Sequence, residues 1–388
     1  MQTPLHKYLK RVYRGITAEM VHDWISNAED NRGILRRLDY AYGFDILNGN
    51  PMKINPKDDN QNGLLRILKR EQARFNNNPE IDYFIQRVEE TCITIKKLHS
   101  LFLVASYEQF HQDTNTFLHR FYSQMNDPAK GQTCILSGPK PFFRIRGLEH
   151  IESSVDERIE FFHVPFDKRY LMGTYRYSIP GYPSLYCSSS LYCAWEEFGC
   201  KDIDKCGYSA YRIAQSIRVL DLRWKFNESK LKQLDDPTLL KHYLLRLPLI
   251  IACSMQVKAP SAKFVPEYIF SQQIFQWLMS QMRHDEKLNT TMGVLYTSTK
   301  EDLWQEICKR NNADDMTNYA LLAFTSVTES AQYSETLASK LEARKPIIWD
   351  KPIPHRKSRY EILIDVEKEL LAPRSSKYMP MSNYIYKK

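Results

Sequence analysis

The stretch Tyr175–Gly199, YRYSIPGYPSLYCSSSLYCAWEEFG, separates Arg176 from Tyr186 by ten positions and Tyr186 from Glu197 by eleven. An arginine in such a loop can grip a phosphate or carboxylate through two parallel hydrogen bonds. Tyr177 and Tyr186 can each stack on a flat ring, and a glutamate can stabilise a developing positive charge or orient a hydroxyl. Together these side chains could bind an anionic ligand with a flat ring and assist a reaction that creates positive charge.

The residues around this set predict a strand that leads into a capped helix. Leu185–Cys187 is β-prone, and the serines at 188–190 offer side-chain oxygens that can cap the helix that follows. Gly199 is a natural stop for this helix. Its predicted buried stripe consists of Leu191, Ala194, Trp195 and Phe198.

Two adjacent glutamates end this helix, so the identity of the acidic residue is open. On a helical wheel, the apolar stripe leaves Glu197 at its border and turns Glu196 more toward solvent. A glutamate at the border of a core, beside the small Ala194, can line a cleft. The helical wheel favours Glu197 over Glu196 as the acidic site residue by a small margin only.

The stretch resembles the RES family, which is named for an arginine, a glutamate and a serine. The longer members of that family resemble this chain through the leader at 163–186 as well, HVPFDKRYLMGTYRYSIPGYPSLY. The resemblance also selects Glu197 over Glu196 as the acidic residue. The residues that carry it are Arg176-Tyr177, Pro180-Gly181, Leu185-Tyr186, Ser188–Ser190 and Ala194 to Glu197.

Two further segments fit the resemblance. The run PFFRIRG offers Arg144 or Arg146 for an early family arginine, and we choose Arg144 because it follows an aromatic pair. The run GVLYTST places Ser298 at the family's serine, and NYALLAF then resembles the family's next strand. The match covers roughly Pro141 to Thr325.

The resemblance implies an enzyme that consumes NAD+. RES domains resemble ADP-ribosyltransferases in fold, with a split, mostly antiparallel pair of sheets around a cleft for NAD. Characterised members are toxins that cleave the nicotinamide–ribose bond by hydrolysis or phosphorolysis, commonly paired with an antitoxin protein. For this chain we therefore expect NAD+ as a substrate, no resident cofactor or metal ion, and a cognate antitoxin as partner.

The resemblance also assigns a role to each candidate residue. Breaking the glycosidic bond gives the ribose oxocarbenium character, which a carboxylate can stabilise. The implied catalytic residues are Glu197 and Arg176, and the implied NAD-binding residues are Arg144, Tyr186, Ser298 and Tyr177. Arg144 and Arg176 would hold the pyrophosphate or neighbouring groups, Tyr186 would pack on the nicotinamide or its ribose, and Ser298 would hydrogen-bond in the same pocket.

Three departures from shorter family members leave the acceptor open. The chain has about 140 residues before the match, a tyrosine at 177 where tryptophan or phenylalanine is usual, and a long insertion around Lys201–Lys258. The acceptor could be water, phosphate or a macromolecule, so an ADP-ribosyltransferase is an alternative. A second alternative is a non-catalytic protein whose N-terminal helices bind nucleic acid or a partner.

The expected fold is α+β, with an ADP-ribosyltransferase-like split β-sheet core and flanking helices behind an all-α N-terminal domain. We expect a helical domain at 1–138, a RES catalytic domain at 139–328 and a C-terminal extension at 329–388. Apolar spacing predicts helices at Gly63–Phe75, Ile81–Phe110 and Pro266–Arg283, and strands at Met292–Thr299 and Asn318–Phe324.

Composition limits which other classes of protein the chain can belong to. The 388 residues carry a net charge of +8. They contain no run of five or more basic residues, so the sequence does not indicate an arm that binds nucleic acid. The apolar run Leu247–Met255 is about half as long as a membrane-spanning helix, and the N-terminal residues lack an apolar segment, so we expect no secretory signal. Eight cysteines without a CxxC pair predict reduced thiols in a cytoplasmic protein. His163 lies just upstream of the motif and could reach the cleft, although a lone histidine is more often structural.

Overall fold

In the computed structural model, the helices and strands are arranged in two units. One, the helical unit, consists of Met1–Thr133, Trp224–Ile274 and Trp304–Asn312. The other, the sheet unit, consists of Cys134–Arg223, Phe275–Leu303 and Ala313–Lys388. The structure describes residues 3–26, 33–44, 63–76, 78–123, 133–151, 157–225, 235–284, 291–310, 316–324, 331–349, 356–373 and 377–385.

The described helices are, in chain order, α1 (Pro4–Gly15), α2 (Ala18–Ser26), α3 (Ile34–Tyr42), α4 (Leu64–Gln72), α5 (Pro79–Leu103), α6 (Tyr107–Ser123), α7 (Glu157–Glu160), α8 (Leu191–Glu197), α9 (Pro237–Ser254), α10 (Ile269–His284), α11 (Glu301–Arg310), α12 (Glu335–Lys340) and α13 (Arg359–Leu371). The described strands are β1 (Thr133–Leu136), β2 (Phe142–Gly147), β3 (Ser184–Ser188), β4 (Cys206–Ile213), β5 (Ile217–Leu222), β6 (Thr291–Thr297), β7 (Thr317–Leu322), β8 (Leu341–Ala343), β9 (Ile347–Ile348) and β10 (Met379–Pro380).

The long helix α5 organises the helical unit. It packs against α9, α6, α4 and α3, and its N-cap Asn78 accepts hydrogen bonds from the backbone N–H groups of Glu80 and Ile81. Its buried face repeats at helical spacing, which explains why the sequence pattern predicts it. That face consists of Ile81, Phe84, Ile85, Val88, Cys92, Ile95, Leu98 and His99.

A buried ion pair ties a distant segment of the chain into the helical unit. The Nη1 atom of Arg37 lies 2.6 Å from Oε1 of Glu267, and both side chains are almost fully buried. The same guanidinium donates to the carbonyls of Ile25 at 3.0 Å and Gln256 at 2.7 Å. A charge that is buried in this way needs all of these partners, so the segment that contains Gln256 and Glu267 belongs with the N-terminal helices.

The sheet unit contains one mixed sheet. The strand order is β1-β5-β6-β7-β3-β2-β4-β8-β10, and β9 pairs with β4 off this path. The described registers are antiparallel, apart from the parallel pair of β5 and β6. Every residue of β6 and β7 is buried, as expected of central strands. These observations confirm the α+β class with an N-terminal helical region.

The sheet is weakly joined between β2 and β3. These strands pair only at Phe143 and Ser188, whereas β2 pairs with β4 over six residues and β3 with β7 over five. Beyond that pair, the guanidinium of Arg144 donates through Nη1 to the carbonyl of Tyr186 at 2.8 Å. A side chain thus replaces backbone pairing where the two parts of the sheet separate.

Helices α8 and α13 cover one part of the sheet. They form a core with β2 and β4, and the backbone N–H of Leu191 at the start of α8 donates to Oε2 of Glu367 in α13 at 3.1 Å. This fixes the helix that carries the two adjacent glutamates. The core includes Phe143, Ile145, Leu191, Ala194, Trp195, Tyr208, Ala210, Ile362, Leu363 and Val366.

Several sequence predictions agree with the structure and others differ. The helices predicted at Gly63–Phe75 and Pro266–Arg283 correspond to α4 and α10, and the two predicted strands to β6 and β7. The helix predicted at Ile81–Phe110 is two helices, because Ala105 adopts a left-handed φ of 61° between α5 and α6.

Each unit is built from three separate segments of the chain, whereas the sequence predicts three consecutive domains. The segment Lys201–Lys258, which reads as an insertion, supplies β4 and β5 to the sheet and α9 to the helical unit. The residues predicted as a C-terminal extension supply β8, β9 and β10 to the same sheet. Strand pairing between distant segments decides these boundaries, and local periodicity does not report it.

None of the helices in the described part of the chain combines the length and the hydrophobicity that a membrane crossing needs. All eight cysteines lie within the described residues, and each is a free thiol.

The close approach of β6 and β7 requires glycine at position 293. A Cβ there would lie 2.3 Å from the carbonyl oxygen of Ala320. We predict that Gly293→Ala lowers the free energy of unfolding of the sheet unit by about 3 kcal/mol, because the strands must move apart. Urea denaturation measures this change. Gly33→Ala, where a Cβ meets nothing within 4 Å, is the matched control, and an equal effect of both variants would contradict the argument.

Candidate functional site

The three consecutive serines before α8 each have a separate structural role. Ser188 donates through Oγ to Oδ1 of Asn318 at 2.6 Å. Ser189 accepts a hydrogen bond at Oγ from the backbone N–H of Thr317 at 3.0 Å. Ser190 caps α8 by accepting from the N–H of Cys193 at 3.2 Å, as the sequence predicts for this cluster. The serines therefore join β3 to β7 and start the helix that carries Glu197.

The carboxylate of Glu197 is held on one oxygen by two donors. Ser298 donates through Oγ to Oε1 at 2.6 Å, and Asn318 donates through Nδ2 to the same atom at 2.6 Å. The other oxygen, Oε2, accepts no hydrogen bond from any residue that the structure describes. This geometry fixes the carboxylate and leaves one charged oxygen available to a ligand.

Asn318 is itself held in one orientation. Its Oδ1 accepts hydrogen bonds from Ser188 Oγ at 2.6 Å and from Cys193 Sγ at 3.4 Å. The amide nitrogen must then point toward Glu197, because an amide group carries its donor opposite its acceptor. Burial, with the charge of Glu197 as a second cause, raises the pKa of the Cys193 thiol well above its ordinary value, so this thiol stays protonated.

The exposure of the two adjacent glutamates is the reverse of the wheel prediction. Glu196 is buried at 6% exposure and accepts from Cys200 Sγ at 3.2 Å, whereas Glu197 is exposed. The prediction that Glu196 faces solvent is wrong because Gly199 and Cys200, with φ values of 90° and 57°, turn the chain back over it. Glu197 lies on the open side, next to the end of β6.

Arg176 contacts the segment that carries Ser298. Its Nη2 donates to Oγ1 of Thr299 at 2.9 Å, one residue after Ser298, and the arginine is 6% exposed. Burial raises the pKa of Tyr296 well above its ordinary value, with further contributions from the charges of Glu197 and Tyr186, while Arg176 opposes the rise. The structure therefore brings together Glu197 and Ser298, and it places Arg176 in contact with Thr299, the residue that follows Ser298.

Tyr186 clamps the loop that carries Arg176. Its hydroxyl donates to the carbonyl of Tyr177 and accepts from the N–H of the same residue at 3.0 Å. The ring of Tyr177 is fully buried and packs on Tyr296 with centroids 4.8 Å apart. Tyr175, by contrast, is 49% exposed and lies 5.6 Å from the ring of Tyr186. Tyr175 and the half-buried Tyr186 thus present ring surface, while Tyr177 supports Tyr186 from the core.

Arg144 makes no hydrogen bond to the carboxylate cluster, by which we mean Glu197, Ser298 and Asn318. Its Nη1 donates to the carbonyl of Tyr186, and its charge acts on His163 and Cys187. The alternative arginine, Arg146, lies 3.3 Å from Oε2 of Glu160, an ion pair that occupies it.

His163 has a structural role, as its position in the sequence suggests. Its Nε2 accepts from the N–H of Ser334 at 2.9 Å and its Nδ1 lies 2.8 Å from the carbonyl of Val164. Burial, and in addition the charge of Arg144, lowers its pKa to about 3, against the hydrogen bond to Val164. The imidazole is therefore neutral and joins two segments of the sheet unit.

Sequence reasoning missed Asn318, Thr299 and Tyr296 as members of the site. Asn318 is paired with Tyr296 on one side and with Ser188 on the other, so the side chains of these residues share a face of the sheet. One available signal was a polar residue near the start of the otherwise apolar strand NYALLAF. Among the described residues, no group of three or more histidine, cysteine or acidic side chains is arranged to hold a metal ion.

Comparison with known proteins finds one relevant similarity. The chain is 28% identical over 233 residues to a protein of Bacillus subtilis (strain 168) named "Putative toxin YopC". The alignment covers 57% of this chain and 49% of that protein, so the chain spans about half the length of the curated relative it matches. No family model matches the chain, and no solved structure does. The similarity connects this chain to a toxin-like protein.

The neutral His163 makes stability depend on pH. Its folded pKa of about 3 lies below the ordinary 6.5, so the unfolded chain binds more protons between these values and stability is lost as pH falls below about 6.5. We predict a loss of about 2 kcal/mol from this residue between pH 7 and pH 5. Urea denaturation at both pH values should show a smaller loss in His163→Gln than in the wild type.

The control for this prediction is His150→Gln, because the side chain of His150 is 63% exposed. Its loss on acidification should equal that of the wild type. The buried His99, whose pKa burial lowers to about 4, acts in the same direction in all three proteins and cancels in the comparison. An unchanged loss in His163→Gln would contradict the assignment.

Proposed function

We propose that the sheet unit cleaves the nicotinamide–ribose bond of NAD+, by hydrolysis or phosphorolysis, and that the protein is a toxin. The observation that carries this proposal is the carboxylate of Glu197, which has one oxygen fixed by Ser298 and Asn318 and the other unoccupied by any described residue. The resemblance to RES domains supports the choice of substrate. The similarity to a protein named as a toxin supports the biological role.

The chemistry requires a fixed negative charge and little else from the protein. The bond between the ribose carbon and the nicotinamide nitrogen breaks, and its electron pair neutralises the positive charge of the leaving group. Positive charge then develops on the ribose, where the free oxygen of Glu197 stabilises it. Water, which then loses a proton, or phosphate forms the new bond to the ribose carbon.

The remaining side chains would bind and orient NAD+. Arg176 supplies a guanidinium for the pyrophosphate or a ribose hydroxyl, held by Thr299 at 2.9 Å. Tyr186 and the exposed Tyr175 offer rings to a flat group. Tyr177 supports both through its backbone bonds to Tyr186, and Arg144 acts on the site through the Tyr186 carbonyl.

A cognate antitoxin is part of this proposal. A protein that destroys NAD+ in its own cell needs a partner that neutralises it. Inhibition of NAD+ cleavage by the product of an adjacent gene would identify that partner.

Transfer of ADP-ribose to a macromolecule is the second candidate. The exposure of Glu197 favours it, since an open carboxylate can face an acceptor side chain or base. Labelled NAD+ separates the outcomes: hydrolysis gives free ADP-ribose, phosphorolysis gives a phosphorylated ADP-ribose only when phosphate is present, and transfer leaves the label on a macromolecule. Binding of NAD+ without turnover would favour a non-catalytic role.

Glu197→Gln tests the central assignment. The change keeps the shape of the side chain and removes the charge, so we predict a loss of about a hundred-fold or more in the rate of nicotinamide release. The matched control is Glu196→Gln, one residue away in the same helix, where the carboxylate is buried and contacts Cys200. Equal rates in the wild type and Glu197→Gln would remove Glu197 from the mechanism.

Asn318→Ala tests whether the amide positions the carboxylate. Because Asn318 is buried at 2% exposure and contacts Glu197, we expect kcat to fall by about ten-fold while KM for NAD+ changes little. Ser188→Ala, which removes the donor to Asn318 Oδ1, should lower kcat in the same direction by a smaller factor. A rise in KM with an unchanged kcat would instead place Asn318 in substrate binding.

A further inference from the structure

The helical unit contains a groove of about 490 Å³ that the proposed NAD+ cleavage does not use. Three helices line it, and we call it the α5–α6–α9 groove. Its lining includes Tyr83, Arg87, Glu90, Phe117, Arg120, Phe121 and Lys241. Its volume lies in the range of small-molecule sites in proteins.

The charge of the groove is positive. Arg87 from α5, Arg120 from α6 and Lys241 from α9 line it, against the single carboxylate of Glu90. That carboxylate accepts from Nε2 of Gln86 at 2.9 Å on the exposed side of α5. Three basic residues from three different helices converge on one hollow, so the groove attracts an anion.

Aromatic rings alternate with these charges. Tyr83 is 56% exposed although its ring is large and apolar, and its hydroxyl accepts from Nη1 of Arg87 at 3.3 Å. On α6, Phe117 and Phe121 have ring centroids 5.5 Å apart, and Arg120 directly precedes Phe121 in the sequence. An exposed ring beside a guanidinium is a platform on which a flat, charged ligand can stack.

The spacing along each helix explains why these residues meet. Tyr83, Arg87 and Glu90 stand at i, i+4 and i+7 of α5, on a stripe next to its buried face. Phe117 and Phe121 stand at i and i+4 of α6. The sequence alone did not reveal this interleaving, because the basic and aromatic residues come from separate helices.

We propose that the α5–α6–α9 groove binds a nucleotide unit, with the phosphate on the basic side chains and the base against the aromatic rings. This ligand matches both kinds of side chain that line the groove, since its phosphate suits the net positive charge and its base suits the rings. The unit can come from a free nucleotide or from single-stranded RNA, which share this chemistry.

The test uses the full-length chain and two probes. AMP is titrated by calorimetry, and a fluorescein-labelled twelve-nucleotide oligouridine by anisotropy. We expect Arg120→Ala and Lys241→Ala each to weaken binding roughly three- to five-fold. Tyr83→Ala should weaken it about ten-fold, whereas Tyr83→Phe, which keeps the ring, should bind within about two-fold of the wild type. Glu90→Gln, which removes the one negative charge, should bind more tightly by about three-fold.

The matched control is Arg36→Ala, which removes an exposed arginine of α3 that does not line the groove. It should leave both affinities unchanged. Circular dichroism of each variant verifies that the helices are intact. Nicotinamide release should be unchanged in all groove variants, so failure of this proposal and failure of the proposed function are distinguishable.

The binding of the two probes by the groove variants distinguishes the possible ligands. Weakening of AMP binding by the groove variants supports a site for free nucleotides, and weakening of oligouridine binding alone supports a site for single-stranded RNA. Equal affinities of the wild type, Tyr83→Ala and Arg120→Ala for both probes overturn the proposal. Displacement of either probe by a polyglutamate peptide at the same concentration as by AMP also overturns it, because the groove would then select charge without a base.

Discussion

The position of the Glu197 carboxylate depends on the register of three neighbouring strands. Asn318 in β7 is paired with Ser188 in β3 and with Tyr296 in β6, and Ser298 directly follows β6. A slip of one residue in either pair would turn the amide of Asn318 to the opposite face of the sheet. The hydrogen bonds to Glu197 are therefore a property of the sheet, and the buried, glycine-dependent contact of β6 with β7 preserves them.

The weak joint between β2 and β3 has a related consequence. A sheet that is paired along its whole length has no free backbone groups between its strands, but these two strands share one residue pair. The carbonyl of Tyr186 is left for the side chain of Arg144. Tyr186 is then held at two points, by its backbone carbonyl and by its side-chain hydroxyl, which bonds to Tyr177. This rigidity suits the ligand-binding role proposed for Tyr186, since less conformational entropy is lost on binding.

The two candidate sites differ in how they are built. The carboxylate cluster is a small set of buried, mutually bonded groups around one exposed acid, which suits the reacting centre proposed for it. The α5–α6–α9 groove presents long basic and aromatic side chains from helix surfaces, which suits the ligand binding proposed for it. Each lies within its own unit. Both would bind a ligand that combines a phosphate with a flat ring.

The sequence by itself determined several helices and strands, and it marked the candidate residues whose chemistry is apparent from their neighbours in the chain. The serine cap and stripe of α8, the helices α4 and α10, and the strands β6 and β7 follow from patterns within short windows. Arg176, Glu197 and Ser298 could be nominated from spacing and from the family resemblance, although they are far apart in the chain.

Only the tertiary structure decided which side chains meet. It brought Asn318 to Glu197, kept Arg144 away from the carboxylate, buried Glu196 under the turn at Cys200 and interleaved rings with charges between α5 and α6. It also drew segments beyond residue 200 into both units. The physical reason is that strand register and helix packing are contacts between distant residues, and a local periodicity carries no information about its partner.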